Sequence, residues 1–241
     1  MLKTIMDSNM GGLLFLLRWL HLFFGIIWIG LLYYFNFVQG AFMAETSEAV
    51  AKSQVTQKLV PRALWWFRWG AMWTFVTGLT MLLAYSHLEA HAGPGMAILR
   101  SSNWINILTG AFFATLMFLN VWLIIWPNQK KIIANAVNTA AGKPADPSVP
   151  AIAARAGVAS RTNVLFSIPM MFFMLAKNHL GYAVDDNSNL CLYWIIAAVI
   201  ILGLEVNAIK GKSGPMTTIK GVVSCGFALT LIFAILLTVL M

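Results

Sequence analysis

Six apolar stretches run through this 241-residue chain, roughly Leu13–Val38, Ala63–Tyr85, Trp104–Trp126, Asn163–Leu180, Leu190–Ile209 and Thr217–Leu240. Each is close to the ~20 residues a helix needs to cross ~30 Å of hydrocarbon. Lipid holds no water to satisfy a free N–H or C=O, so spanning segments must bond their backbones internally, and runs of this length do so as helices. Hydrophobic residues make up 60% of the chain and charged ones 10%, which excludes an ordinary soluble domain. The expectation is an all-α, polytopic membrane helical bundle of about six transmembrane helices in a lipid bilayer, one domain over residues 1–241.

Basic residues set the expected orientation. Connections after the first, third and fifth helices hold Lys52, Lys58 and Arg62, then Lys130, Lys131, Lys143, Arg155 and Arg161, then Lys210, Lys212 and Lys220, whereas the opposite side has Lys3 and Arg100. By the positive-inside rule the basic connections are cytoplasmic and both termini lie outside. The net charge of +8 is then a topology signal with some attraction to anionic lipid; no nucleic-acid partner is expected. The first apolar run is too long for a signal-peptide core, so it is expected to stay in the mature protein. Cys191 and Cys225 fall at different depths, and no disulfide is expected.

The longest connection, Pro127–Thr162, reads as a short surface helix over Asn128–Ala141 followed by an extended stretch over 142–150, where three prolines remove donors. The connection Ser86–Ser102 carries His87, Glu89, His91 and a Gly93-Pro94-Gly95 turn, and is expected to fold over the outer end as a lid.

The four histidines, His21, His87, His91 and His179, thread to one membrane face. Arg18, His21, Gly25 and Trp28 share one side of a helix. An imidazole there can ligate haem iron, a glycine one turn deeper lets a flat macrocycle approach, and an arginine one turn nearer water can pair with propionates. His179 ends the fourth helix at similar depth and is the expected second axial ligand, with His87 competing. His91 lies farther out. A bland alternative has His21 hydrogen-bonding across the bundle and Arg18 snorkelling to headgroups.

Toward the cytoplasm, Arg68, Arg161 and Glu205 form a second polar group, either for substrate or structural. A charge in hydrocarbon needs a partner, so Glu205 is expected to face Arg68 or Arg161. Met170, Met171 and Met174 read as packing. No nucleotide-binding or hydrolase motif occurs. Neither does Cys-x-x-Cys-His, so any haem would be non-covalent and b-type.

Taken together, Arg18-Trp19-Leu20-His21, Gly25-Ile26-Ile27-Trp28-Ile29-Gly30, Tyr33-Tyr34-Phe35-Asn36-Phe37, Trp65-Trp66-Phe67-Arg68-Trp69-Gly70-Ala71, Trp126-Pro127-Asn128-Gln129, Ser160-Arg161-Thr162-Asn163 and Ser167-Ile168-Pro169 resemble the membrane domain of bacterial membrane-bound urate hydroxylases, the urate oxidase N-terminal family. The resemblance implies a multi-pass protein of the bacterial inner membrane that oxidises urate toward 5-hydroxyisourate and passes electrons to a cytochrome c. Those proteins carry a C-terminal cytochrome c domain, whereas this chain stops at Met241 as its sixth helix emerges. Electrons are therefore expected to leave through a separate cytochrome c or a redox-complex subunit on the outer side. The first helix also distantly resembles bacterial haem-binding protoporphyrinogen oxidases and copper-resistance membrane proteins. Two alternatives stay open: a non-catalytic haem-binding electron-transfer subunit of a respiratory complex, and a copper or zinc transport protein.

Overall fold

The structure, a computed structural model, describes residues 10–91, 100–185 and 187–241, with backbone only for residue 10 and residues 85–91. Every regular element among them is helical. The chain runs through α1 (Met10–Tyr33), a π-helical turn (Tyr34–Gln39), α2 (Gly40–Glu45), α3 (Ala49–Gln54), a second π turn (Val55–Leu59) and α4 (Val60–His91). It continues through α5 (Ser102–Leu119), a third π turn (Asn120–Ile125), α6 (Trp126–Ala140), α7 (Val149–His179), α8 (Leu190–Lys210), a 3-10 turn (Gly214–Thr217) and α9 (Ile219–Leu240).

Six long helices are thus present, as the apolar runs predict, and five of the stretches are long and apolar enough to cross a membrane: Gly11–Glu45, Ser102–Ala140, Val149–His179, Leu190–Lys210 and Ile219–Leu240. The remaining one, α4, has 32 residues, about 48 Å of rise. Its Arg62, Arg68, glycines, threonines and tryptophans make it less apolar.

Several boundaries differ from the sequence reading. Residues 126–140 form no separate surface helix but continue α5 through the π turn. Pro127 sits in the first turn of α6, where a missing N–H costs least. The helix ends at Gly142, whose φ of 80° suits the left-handed cap position. Pro150 likewise lies in the first turn of α7 rather than in extended chain, and Ala151–Ser160, rich in alanine, carries α7 far beyond the apolar run. The α4 helix reaches His91, so both loop histidines have helical backbone; residues 92–99, with the glycine-proline turn, are outside the described residues.

Close approach of small residues holds the bundle together. Gly70, Thr74 and Gly78 make a stripe along α4 on which α1 lies: a Cβ at 70 would stand 3.2 Å from the Trp28 amide nitrogen. Gly110 of α5 meets the α7 backbone, with Met170 O and Met174 N each 3.3 Å from where a Cβ would be. Gly226 of α9 lies against Ile168 of α7. In lipid, where apolar burial drives no association, such contacts supply dispersion energy. Between α5, α7 and α9 the core is aromatic: Phe113 stands edge-on to Phe166 and to Phe233, each pair 5.3 Å between centroids. The rings of Phe75 and Phe118 stack at 4.3 Å and join α4 to α5.

Candidate functional site

His21 is turned toward α4. Its Nδ1 lies 2.9 Å from the Thr74 carbonyl oxygen and 3.2 Å from Thr77 Oγ1. A carbonyl only accepts, so Nδ1 carries the proton, and the Thr77 hydroxyl, which donates to Trp73 O at 2.6 Å, accepts a share of it. That bond fixes the tautomer and leaves Nε2 as the lone-pair nitrogen. Nε2 has no hydrogen-bond partner among the described residues, yet it is not among the enclosed orphan atoms, so it stays open at the surface of the α1–α4 pair. The ring rests on Gly78, where a Cβ would come 2.9 Å from Cε1.

The shared face of Arg18, His21, Gly25 and Trp28 exists, and α4 covers its deeper part. Trp28 is 1% exposed, and a Cβ at Gly25 would meet Thr74 Cγ2 at 3.9 Å. The slot beside Gly25 is therefore filled by a threonine methyl. Arg18 is exposed at the end nearer the N-terminus.

His179 lies at matching depth on α7. Tyr33 Oη and Ser167 Oγ meet at 2.8 Å and Asn36 Nδ2 donates to Ser160 Oγ at 2.8 Å, which sets α1 antiparallel to α7. His21 and His179 are each twelve residues from the Tyr33–Ser167 bond, about 18 Å along their helices. The two bonds lie toward the basic end of the bundle, and the histidines lie at the far end. His179 itself is exposed. The backbone beside it is anchored by Asn106, 1% exposed, whose Nδ2 donates to Ala176 O and Leu180 O. Tyr182 donates to Asn106 Oδ1 at 3.3 Å, and burial pushes its phenol above the ordinary value. The Cα of His87 is nine residues beyond Gly78, about 13 Å farther along α4; its side chain and that of His91 lie outside the described residues.

At the basic end the expected arginine–carboxylate pairing gives way to a different arrangement. The Arg68 guanidinium stacks on the Trp126 ring at 3.9 Å, with Lys130 Nζ 5.5 Å from the same ring. Arg68 Nε is enclosed without a partner. Arg161 donates to the Met216 carbonyl. Glu205, 8% exposed, accepts from Asn120 Nδ2 at 3.0 Å. An aromatic ring and a backbone carbonyl thus take the place of the carboxylate because Glu205 is turned to Asn120 at the start of the third π turn, whereas Arg68, on α4, is turned to Trp126 of α6.

Residues not named as site candidates in the sequence complete the polar framework: Asn120, Thr74, Thr77, Tyr33 and the buried pair Thr109–Tyr193, 2.8 Å apart. Asn120 was visible, with Asn106, as one of two amides within the apolar run Trp104–Trp126. A cavity of about 580 Å³ opens between α1, α7 and α9, lined by Tyr33, Phe37, Ile168, Met171, Phe172 and Phe227 among others; among the described side chains no histidine lines it. No group of three or more His, Cys, Asp or Glu that could hold a metal ion gathers among the described residues.

A family model described as urate oxidase N-terminal matches residues 96–237, more than half of the chain. His179, Arg161 and Glu205 fall inside the match, whereas Arg18, His21, Gly25, Arg68 and His87 precede it. No curated protein and no solved structure matches.

Proposed function

Because the chain belongs to the urate oxidase N-terminal family, we propose that it is a bacterial inner-membrane oxidoreductase that takes electrons from urate or a similar small anion and passes them, through non-covalent haem b, to a cytochrome c or redox subunit on the outer side. The observation that carries the haem part is His21. Its Nδ1–H is held by Thr74 O, and a metal-bound imidazole characteristically presents its second nitrogen in this way. His21 Nε2 would hold the haem from one side and the exposed His179 from the other, and Arg18, one turn toward the helix start, would neutralise propionate charge. Haem bound there supplies one-electron transfer whose potential follows from ligand identity and burial.

For the substrate, Arg68 is a charged group whose described contacts include no carboxylate and which keeps an unpartnered donor. Its plane is fixed on Trp126, and its unpartnered Nε is a donor suited to a flat anion. Six residues along α4 separate it from Thr74, about 9 Å of rise. A second reading, a non-catalytic haem subunit, draws on the openness of His21 Nε2 at the bundle surface, where another subunit can supply the other ligand.

Purified protein is expected to show a reduced b-type α-band, and membranes containing it to reduce added cytochrome c when given urate. A b-type spectrum without urate-dependent reduction favours the subunit reading, and haem-free protein overturns both.

A further inference from the structure

Between α5, α7 and α8, three polar side chains are sealed into the bundle. Asn120 is 1% exposed, Asn163 0% and Glu205 8%. Asn120 Nδ2 uses both of its hydrogens, one to Asn163 Oδ1 and one to Glu205 Oε2, each at 3.0 Å. Asn163 Nδ2 donates to Met117 O at 3.0 Å. Those two amides supply the donors in the cluster, and the three N–H bonds they make have directions set by the acceptors around them. The acceptors are in excess. Asn120 Oδ1 is enclosed and has no partner, and the carboxylate of Glu205, which can accept about four bonds, receives one. Flipping the Asn120 amide would not help, since its nitrogen would then abandon two acceptors.

The surplus is also one of charge. Among the described residues no lysine or arginine pairs with Glu205. On α7, Arg161 is turned to Met216 O; Arg155 lies farther toward the basic end, and Lys177 and His179 lie at the far end. On α8, Tyr193 is bonded to Thr109 and Lys210 is exposed; on α9, Lys220 is exposed and Cys225 is half-buried. The α5 helix and its π turn carry no ionisable side chain. An uncompensated carboxylate and an orphan carbonyl oxygen in one enclosed place is a costly arrangement that a single positive charge relieves. Asn120 opens a π-helical turn, a local break in helical register that recurs at functional sites.

We propose that Glu205 and Asn120 Oδ1, braced by Asn163, form a binding site for one small cation, either a proton or an alkali-metal ion. As a proton, it sits on the carboxyl oxygen not bonded to Asn120 Nδ2 and is donated to Asn120 Oδ1, closing an acid–amide pair. As an alkali ion, it is held by the same two oxygens. This inference stands apart from the urate and haem reading, because none of its residues touches His21 or Arg68.

The test uses the intact purified chain. Its unfolding midpoint is measured in lithium, sodium, potassium and choline chlorides at constant ionic strength, and the infrared carbonyl band of a protonated carboxyl is followed across pH. One signal is expected in the wild type: a midpoint raised by one alkali ion over choline identifies the ion, and a protonated-carboxyl band identifies the proton. Either signal is lost in Glu205→Gln. In Asn120→Ala the ion's apparent affinity falls about tenfold, or the carboxyl band moves to higher frequency as its O–H loses its acceptor. Should Glu205→Gln fail to fold, the wild type and Asn120→Ala still decide. A wild type with neither cation dependence nor a protonated-carboxyl band overturns the site, whatever the outcome with urate.

Discussion

The imidazole of His21 lies on the bare backbone of Gly78, so close that a Cβ there would stand 2.9 Å from Cε1 and 3.2 Å from Nδ1. The ring cannot retreat freely, because Nδ1 is tied to Thr74 O. Gly78→Ala is therefore expected to displace the ring and loosen α1 from α4 at a cost of about 1–3 kcal/mol, the usual range for overpacking. His21→Ala in the same chain removes the obstacle. A double-mutant cycle on unfolding midpoints should show strong coupling, and additive effects would contradict the contact.

The two proposed ligands make a sharper series. Alanine at His21 or at His179 is expected to convert a six-coordinate low-spin haem spectrum to a five-coordinate or haem-free one, while His91→Ala leaves it unchanged. Arg18→Ala should weaken haem retention or shift the midpoint potential with folding intact. Retention of a normal spectrum by His179→Ala, with loss in His87→Ala, would move the second ligand to α4, despite the roughly 13 Å of helix rise between His87 and the residue beneath His21.

Packing of the last helix depends on Gly226, which lies directly against the Ile168 side chain, Cβ included. Ile168 is branched at that carbon and has little room to rotate away. Gly226→Ala should destabilise the α7–α9 contact by about 1–3 kcal/mol and show it as faster hydrogen exchange in α9. Gly203→Ala, with open space around it, is the matched control expected to change little.

One acid dependence follows from the loop before α7. Asp146 Oδ1 accepts from the Ser148 amide and hydroxyl at 2.8 and 2.7 Å, and the backbone bond first, then the side-chain bond, hold its carboxyl below the ordinary value. With a depressed folded value, the stabilisation is complete above the ordinary carboxylate range and disappears as pH falls through the lower folded value. Exchange of amides at the start of α7 should accelerate only in acid in the wild type. In Asp146→Ala it should be fast already at neutral pH, and an unaltered profile would remove the Asp146–Ser148 turn from the account.

Orientation can be tested directly. Eleven basic residues in the three connections assigned to the cytoplasm, against Lys3 and Arg100 outside the helices on the other side, lead us to expect both termini outside by the positive-inside rule. A reporter fused after Met241 and active only in the cytoplasm should stay silent; activity would invert the bundle.

Helix number and type were legible because they depend on a local condition: an apolar run of bilayer length has no alternative to internal hydrogen bonding. The shared face of His21, Gly25 and Trp28 was legible for the same reason, being set by helical periodicity within one segment. Helix ends were less so. The α7 helix begins at Val149 rather than near Asn163 because alanine-rich chain propagates a helix into water as well as into lipid, and the apolar signal stops where the hydrocarbon does. The equal depth of His21 and His179 followed from helix lengths and alternating direction, and the Tyr33–Ser167 register agrees with it.

What covers each face was decided only in three dimensions. Nothing near Gly25 in sequence announces that a threonine methyl from α4 fills the space beside it, and nothing near Glu205 announces that its partner is an amide 85 residues away rather than an arginine. Both outcomes depend on how helices rotate about their axes. That rotation is chosen by where glycines allow two backbones to approach and where aromatic rings interlock, sums of many weak contacts between distant segments that no single stretch of chain contains. The sequence alone determined how many helices there are and which residues share a side of each; the packing determined which of those sides meet, and so which polar atoms are satisfied and which are left open.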